Sequence, residues 1–242
     1  TVNLLESCRR SSSVKSIIII TSDKCYENLE TDRAYLETDP MGGYDPYSSS
    51  KGCCELIVSS YTRSFFNSKD SPSIASVRAG NVIGGGDWAK DRLFPDIFHS
   101  ILKNDKIKIR NPKSIRPWQH VIEPLSGYLL LAQKLYDDGS KYNGPWNFGP
   151  NIEDCKSVEW ILDFVNLNWK ENIQWELDSD DNPHEAKLLR LDISKAQKKL
   201  KWKPRFNLEM SIKLILDWYT CWIEKGDIRE KCKSQIKFYN NG

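Results

Sequence analysis

In KSIIIITSDK, residues 15–24, four consecutive isoleucines are enclosed by polar residues on both sides. β-Branched side chains favour the extended, pleated chain, and an uninterrupted apolar run of this length suits a strand covered on both faces, as in a parallel sheet. A strand here delivers Ser22, Asp23 and Lys24 at its carboxyl end. Ligands of open α/β sheets sit beyond that end of the strands, so this tripeptide is the first candidate for chemistry.

Working outward, residues 46–66 (PYSSSKGCCELIVSSYTRSFF) open on a proline suited to a first helical turn and carry apolar residues at helical spacing until SPS at 71–73. A second strand is expected in IASVRAGNVIG, residues 74–84. Strand, helix and strand over this length make a right-handed parallel crossover, which assigns the chain to the α/β class with a partial Rossmann-type sheet. Asn81 lies at the second strand's carboxyl end, and Tyr47 starts the intervening helix on the same side.

Beyond Gly86 the texture changes to a loop (GGGDWAKDR), a helix (LFPDIFHSILKN), a short strand (IKIR) and a polar turn (NPKSIRPWQHV). Another helix is expected from Pro124 to Tyr136, a short strand ending in Asn147, a helix over 158–169 and a strand near IQWEL at 173–177. Residues 208–225 place Ile212, Ile215, Tyr219, Trp222 and Ile223 on one helical stripe, read as core, and the chain after Gly226 is expected to be a loosely held terminus.

The 35 basic and 33 acidic residues leave a net charge of +2, without the dense basic stripe of nucleic-acid binders. The longest apolar runs are far too short to span a bilayer, and no charged-then-apolar signal segment opens the chain, so neither a nucleic acid nor a membrane is an expected partner and the cytoplasm is the expected location. Seven cysteines lack C-x-x-C spacing and do not group with the three histidines, which argues against a metal site or a disulfide framework. His99, His120 and His184 read as structural.

Tyr47 and Lys51 are four residues apart, on one face of the expected helix. A tyrosine hydroxyl is a poor base unless a nearby cation favours its phenolate, and Lys51 supplies that cation. Tyr-x-x-x-Lys alone occurs on many amphipathic helices. Its place here, after a buried strand ending in a hydroxyl residue and before a strand ending RAGNVIG, resembles the active-site order of the extended short-chain dehydrogenase/reductase superfamily. Together TSDKCYEN (21–28), DPMGGYDPYSSSKG (39–52) and RAGNVIGGGDW (78–88) resemble the sugar-nucleotide 4,6-dehydratases. The combination of SDKCYEN with GGGDW resembles the branch acting on CDP-glucose; relatives acting on dTDP-glucose or GDP-mannose usually show Asp-Glu where this chain has Asp23-Lys24.

The resemblance implies an NAD-dependent lyase that oxidises the hexose transiently at C4, eliminates water across C5 and C6, and returns the hydride to C6. Tyr47 would be the base at the C4 hydroxyl, Lys51 would favour its phenolate and hydrogen-bond the nicotinamide ribose, and Ser22 would steady the C4 oxygen. Asp23 would protonate the leaving C6 hydroxyl, with Lys24 placed to take the C5 proton or to stabilise the enolate. Arg116 and Arg92 match positions expected at the diphosphate, and Asn81 and Asn147 match amide positions near hexose and nucleotide. Residues 1–86 would then be the C-terminal part of the NAD-binding domain and 87–242 mainly the sugar-nucleotide region, with about 115–150 returning to the sheet.

One departure stands out: the G-x-x-G-x-x-G turn that approaches the dinucleotide pyrophosphate is absent, and the chain opens in TVNLLESCRR, which resembles the helix before the catalytic strand. The 242-residue chain by itself is therefore expected to bind NAD poorly and be inactive, and a homo-oligomer is expected of a full-length form. Another sugar-nucleotide dehydratase, an epimerase, or an inactive binding module are the competing readings. Asp23-Lys24 disfavours the epimerase.

Overall fold

The structure, a computed structural model, describes residues 1–170, 173–178 and 188–241. It divides into two compact units. Unit 1 comprises Thr1–Gly80, Pro124–Gly149 and Leu189–Lys203, and unit 2 comprises Asn81–Glu123, Pro150–Leu188 and Pro204–Gly242. Pro124–Gly149 and Leu189–Lys203 share unit 1 with the first 80 residues.

Unit 1 is built on a parallel sheet in the order β1 (Ser16–Ile20), β2 (Ser73–Ala79), β7 (Gly144–Phe148). The register sets Ile17 against Ile74 and Ile20 against Val77, then Val77 against Trp146. Every residue of the central strand β2 is buried, as its cover on both faces requires. Alternate side chains go to opposite faces. Ile17, Ile19 and Ile74 meet Leu5 of α1 (Val2–Arg10) and Val58 of α2 (Pro46–Ser64), while Ala75 and Val77 meet Leu131 and Leu135 of α4 (Ile122–Asp138). Each fully buried Val, Leu or Ile side chain among these contributes about 2 kcal/mol from apolar burial. The opening segment forms the helix expected before β1, and α2 ends two residues short of Phe66.

Among its described residues unit 2 carries three small strand pairs: β3 (Val82–Ile83) with β6 (Gln119–His120), β4 (Ile107–Ile109) with β9 (Trp175–Leu177), and β5 (Ile115–Pro117) with β8 (Cys155–Ser157). The segment 111–121, expected as a polar turn, therefore contains β5 and β6, with Ile115, Arg116 and Pro117 paired to Ser157, Lys156 and Cys155 and Gln119 and His120 paired to Val82 and Ile83. Around the pairs, α3 (Leu93–Lys103), α5 (Val158–Asn168) and α6 (Leu208–Ile223) close a core in which Phe98 stacks on Tyr219. Asn104 ends α3 in the left-handed conformation, with its N–H on the Ser100 and Ile101 carbonyls.

Two expectations for the tail are corrected. Ile212, Ile215 and Tyr219 are core, but Trp222 and Ile223 are 40% and 41% exposed, because α6 outruns the surface it packs on; Leu208, Leu216 and Trp218 complete the buried face. Beyond Gly226 the chain forms α7 (Ile228–Asn241), held by buried Gln235 and Tyr239. The Tyr239 hydroxyl donates to Glu123 Oε2 at 3.0 Å, and its carbonyl accepts from Arg205 Nη1 at 2.8 Å. No helix among the described residues is long and apolar enough to cross a membrane.

Candidate active site

Past Ile20 the chain leaves β1 through Thr21 and enters a 3-10 turn, Asp23–Cys25. Ser22 caps that turn: its Oγ accepts from the Lys24 N–H at 3.2 Å and donates to Asp23 Oδ1 at 3.0 Å. This local bonding turns Ser22 and Asp23 inward, where both are buried, and leaves Lys24 exposed.

The start of α2 is fixed by Asp45, which receives the Ser48 N–H at 3.0 Å and the Ser48 hydroxyl at 2.6 Å, with Pro46 in the first turn. The Ser48 hydroxyl and amide hold the Asp45 carboxyl below its usual range, and the Lys24 cation adds to the effect. Two glycines allow the preceding loop to touch the helix. A Cβ on Gly43 would lie 2.3 Å from Ser49 N, and one on Gly52 would lie 2.9 Å from the Gly42 carbonyl oxygen.

Tyr47, 53% exposed, stands on the first turn of α2 with the Lys51 ammonium 5.5 Å from its ring centroid. The Lys24 ammonium lies 5.8 Å from the same centroid. Both distances are within cation–π range. Lys24, Tyr47 and Lys51 therefore meet, in unit 1, beside the Ser22–Asp23 turn. Neither the Tyr47 hydroxyl nor the Lys51 ammonium makes a hydrogen bond among the described residues. An ammonium with three uncommitted donors suits the paired hydroxyls of a ribose, so the residues present fit the nicotinamide-ribose end of a dinucleotide.

Asn147 is fully buried, its Oδ1 accepts from the Tyr26 hydroxyl at 2.7 Å, and its Nδ2 donates to the Tyr35 and Asp192 carbonyls at 2.8 and 3.1 Å. Those bonds engage both polar atoms of the amide within unit 1, where it braces the strand end. It belongs to a buried polar group that sequence reasoning missed: Arg78 donates to Tyr26 Oη at 2.7 Å and to Glu55 Oε2 at 2.8 Å, and Ser76 Oγ donates to the same Glu55 oxygen at 2.6 Å. A signal for it was present, since an arginine inside the apolar strand SIASVRA has to find a buried counter-charge.

The other expected substrate contacts lie in unit 2. Asn81 is half-buried at the mouth of β3, its carbonyl accepting from Gln119 N at 3.0 Å. Arg92 is exposed and ion-paired to Asp87 at 2.9 Å, in the loop whose Gly85 packs so closely on Trp218 that a Cβ would meet the indole at 2.2 Å. Arg116 is buried, with Nη1 on the Ile115 carbonyl at 3.1 Å. Burial pushes His120 down to about 4, and the Ile122 N–H donates to its Nδ1 at 3.3 Å, so it is a neutral packing residue. His99 packs on Trp88, and His184 lies outside the described residues. No group of three or more metal-ligating side chains occurs among the described residues.

The sequence profile of the GDP-mannose 4,6 dehydratase family matches residues 1–215. The chain is 51% identical to CDP-glucose 4,6-dehydratase of Salmonella typhimurium over 99% of its own length and 68% of that protein's. Among solved structures, dTDP-glucose 4,6-dehydratase of Bacillus anthracis in complex with NAD superposes with a TM-score of 0.73 at 21% identity, over 90% of this chain and 66% of that one. UDP-glucuronic acid 4-epimerase of Bacillus cereus in complex with UDP-glucuronic acid and NAD gives 0.75 at 20%, over 88% and 64%. These two share the fold. A profile spanning most of the sequence, together with a relative half identical throughout, shows that the chain belongs to the GDP-mannose 4,6 dehydratase family.

Proposed function

We propose that this chain carries the catalytic residues and sugar-nucleotide contacts of a CDP-glucose 4,6-dehydratase, a lyase converting CDP-glucose to CDP-4-keto-6-deoxyglucose. The observation that carries the reading is the meeting of Lys24, Tyr47 and Lys51 beside buried Ser22 and Asp23, in a chain 51% identical to the Salmonella enzyme. Bound NAD supplies a reversible two-electron acceptor.

The chain's own residues supply the proton chemistry. Tyr47, half-exposed with the Lys24 and Lys51 ammonium groups 5.8 and 5.5 Å from its ring centroid, takes the C4 hydroxyl proton. Lys51 also holds the nicotinamide ribose. Ser22 orients the C4 oxygen, and Asp23, bonded to Ser22 at 3.0 Å, hands a proton to the C6 hydroxyl as it leaves. Lys24 serves the C5 position. Arg92 and Arg116 answer the diphosphate as fixed cations, and Asn81 the sugar. An epimerase shares Tyr47 and Lys51 but has no use for an acid at Asp23.

The test is turnover by the protein expressed from its complete reading frame, with CDP-glucose, dTDP-glucose and GDP-mannose supplied in parallel. A 4-keto-6-deoxy product from CDP-glucose at the highest kcat/KM is expected; preference for another nucleotide overturns the substrate. The reading includes a cytoplasmic homo-oligomer, which sedimentation of the complete protein addresses.

A further inference from the structure

Glu55 lies one helical turn beyond Lys51 and two beyond Tyr47, yet it faces the interior of unit 1 and is 5% exposed. Its Oε1 accepts from the Thr21 hydroxyl at 2.5 Å, and its Oε2 from Ser76 Oγ at 2.6 Å and Arg78 Nη2 at 2.8 Å. Thr21 is the residue before Ser22. Its backbone N–H extends the sheet by bonding the Val77 carbonyl at 2.9 Å, so its side chain is held at a defined depth. One carboxylate on the helix that bears Tyr47 and Lys51 is thus bonded to the first residue of the segment that bears Ser22, Asp23 and Lys24. On its other side Arg78 passes the connection through Tyr26 to Asn147, at the end of β7.

We propose that Glu55 is a positioning residue for the proposed dehydratase: its bond to Thr21 fixes the separation between the Tyr47–Lys51 helix and the Ser22–Asp23–Lys24 turn. The inference rests on the functional reading above. The residues on either side of this tie act on C4, C5 and C6 of one hexose, and a displacement of about 1 Å between such groups can cost on the order of a hundredfold in rate. Burial pushes the Glu55 carboxyl upward, but the Arg78 hydrogen bond and charge, with the Ser76 and Thr21 hydroxyls, outweigh it and hold the group below the ordinary glutamate range. It is an anion with three side-chain donors, Thr21, Ser76 and Arg78.

Two variants separate positioning from bulk stability. Glu55→Gln keeps the shape: the amide oxygen can accept from Arg78 and Ser76 while the NH2 donates to the Thr21 hydroxyl. It removes the charge opposite a buried arginine, so Tm falls, whereas kcat is expected within about threefold of wild type because the tie persists. Glu55→Met combined with Arg78→Met replaces the ion pair by apolar side chains of similar volume, an exchange that is often neutral for stability. Its Tm is expected within a few degrees of wild type, its KM for CDP-glucose within about twofold, and its kcat down by about tenfold or more because the tie is gone. A kcat that simply follows Tm across the two overturns the proposal.

Thr21→Val removes only the hydroxyl and needs no repacking of the charges. In this variant the Lys24 and Cys25 amides, bonded to Ser22 Oγ and the Ser22 carbonyl, should exchange with solvent deuterium about tenfold faster while the Ile17–Ile19 amides keep their protection. Unchanged exchange at Lys24 and Cys25, or equal acceleration along all of β1, overturns the tie. The exchange measurement needs no substrate. If the wild-type protein turns over none of the sugar nucleotides, the functional reading fails by itself and the exchange result still decides whether Glu55 holds the turn.

Discussion

The Lys51 ammonium lies 5.5 Å from the centroid of the Tyr47 ring, one turn further along α2. The partial exposure of Tyr47 leaves it open to a sugar. Asp23, in contrast, is buried behind Ser22. The two residues should therefore fail differently in the complete enzyme. Tyr47→Phe stops the first oxidation, and quenching a single turnover with borodeuteride places no deuterium at C4 of the recovered hexose. Asp23→Asn leaves that oxidation and slows elimination by roughly two to four orders of magnitude, so C4-labelled hexose with its C6 hydroxyl intact is recovered. Identical labelling in both variants would show that Asp23 is not the acid.

Lys24 is 5.8 Å from the Tyr47 ring, as close in kind as Lys51. Two tasks compete for it, cation beside the phenolate and base at C5. Lys24→Met should lose activity in either case. Lys24→Glu restores a base while reversing the charge near Tyr47, so recovery of C5 solvent-deuterium exchange in Lys24→Glu, with none in Lys24→Met, marks proton abstraction as the task. If neither variant exchanges, the ammonium acts through its charge.

His120 gives a pH dependence whose sign is fixed. Burial lowers it from 6.5 unfolded to about 4 folded, so between those values the unfolded chain binds the proton more readily. Stability from this site is complete above about pH 6.5, declines as pH falls, and is lost to the extent of roughly 3 kcal/mol by pH 4. His120→Gln keeps an acceptor for the Ile122 N–H and removes the titration. Urea unfolding at pH 7.5 and pH 5 should show a smaller difference for the variant than for wild type. Equal differences would mean that His120 is protonated without cost.

The hydroxyl bond from Tyr239 to Glu123 ties α7 to the start of α4 within unit 2. Tyr239→Phe should cost about 1 kcal/mol, the ordinary worth of one hydrogen bond. Deleting residues 228–241 removes Gln235 and Tyr239 as well as the cover over their contacts, and should lower Tm by clearly more than the point substitution. A deletion that melts with wild type would return α7 to the loose terminus its polar sequence suggested.

The amino-acid sequence by itself determined the crossover of β1, α2 and β2, because four isoleucines in a row and a capped amphipathic helix are local signals that few alternative structures share. It also determined the pairing of Tyr47 with Lys51, whose meeting is a property of helical spacing alone. Only the tertiary structure decided where Asn147 points, that Lys24 reaches the Tyr47 ring, and that Glu55 rather than an apolar residue is what α2 turns toward Thr21. It likewise decided that Tyr239, in a tail 14 residues long and largely polar, is buried on Glu123. The reason is common to the three hydrogen bonds among these. Tyr26 and Asn147 are 121 positions apart, Thr21 and Glu55 34, and Glu123 and Tyr239 116. A hydrogen bond across such a span exists only once strands are in register and helices are packed, and neither partner's neighbours in sequence carry any trace of the other.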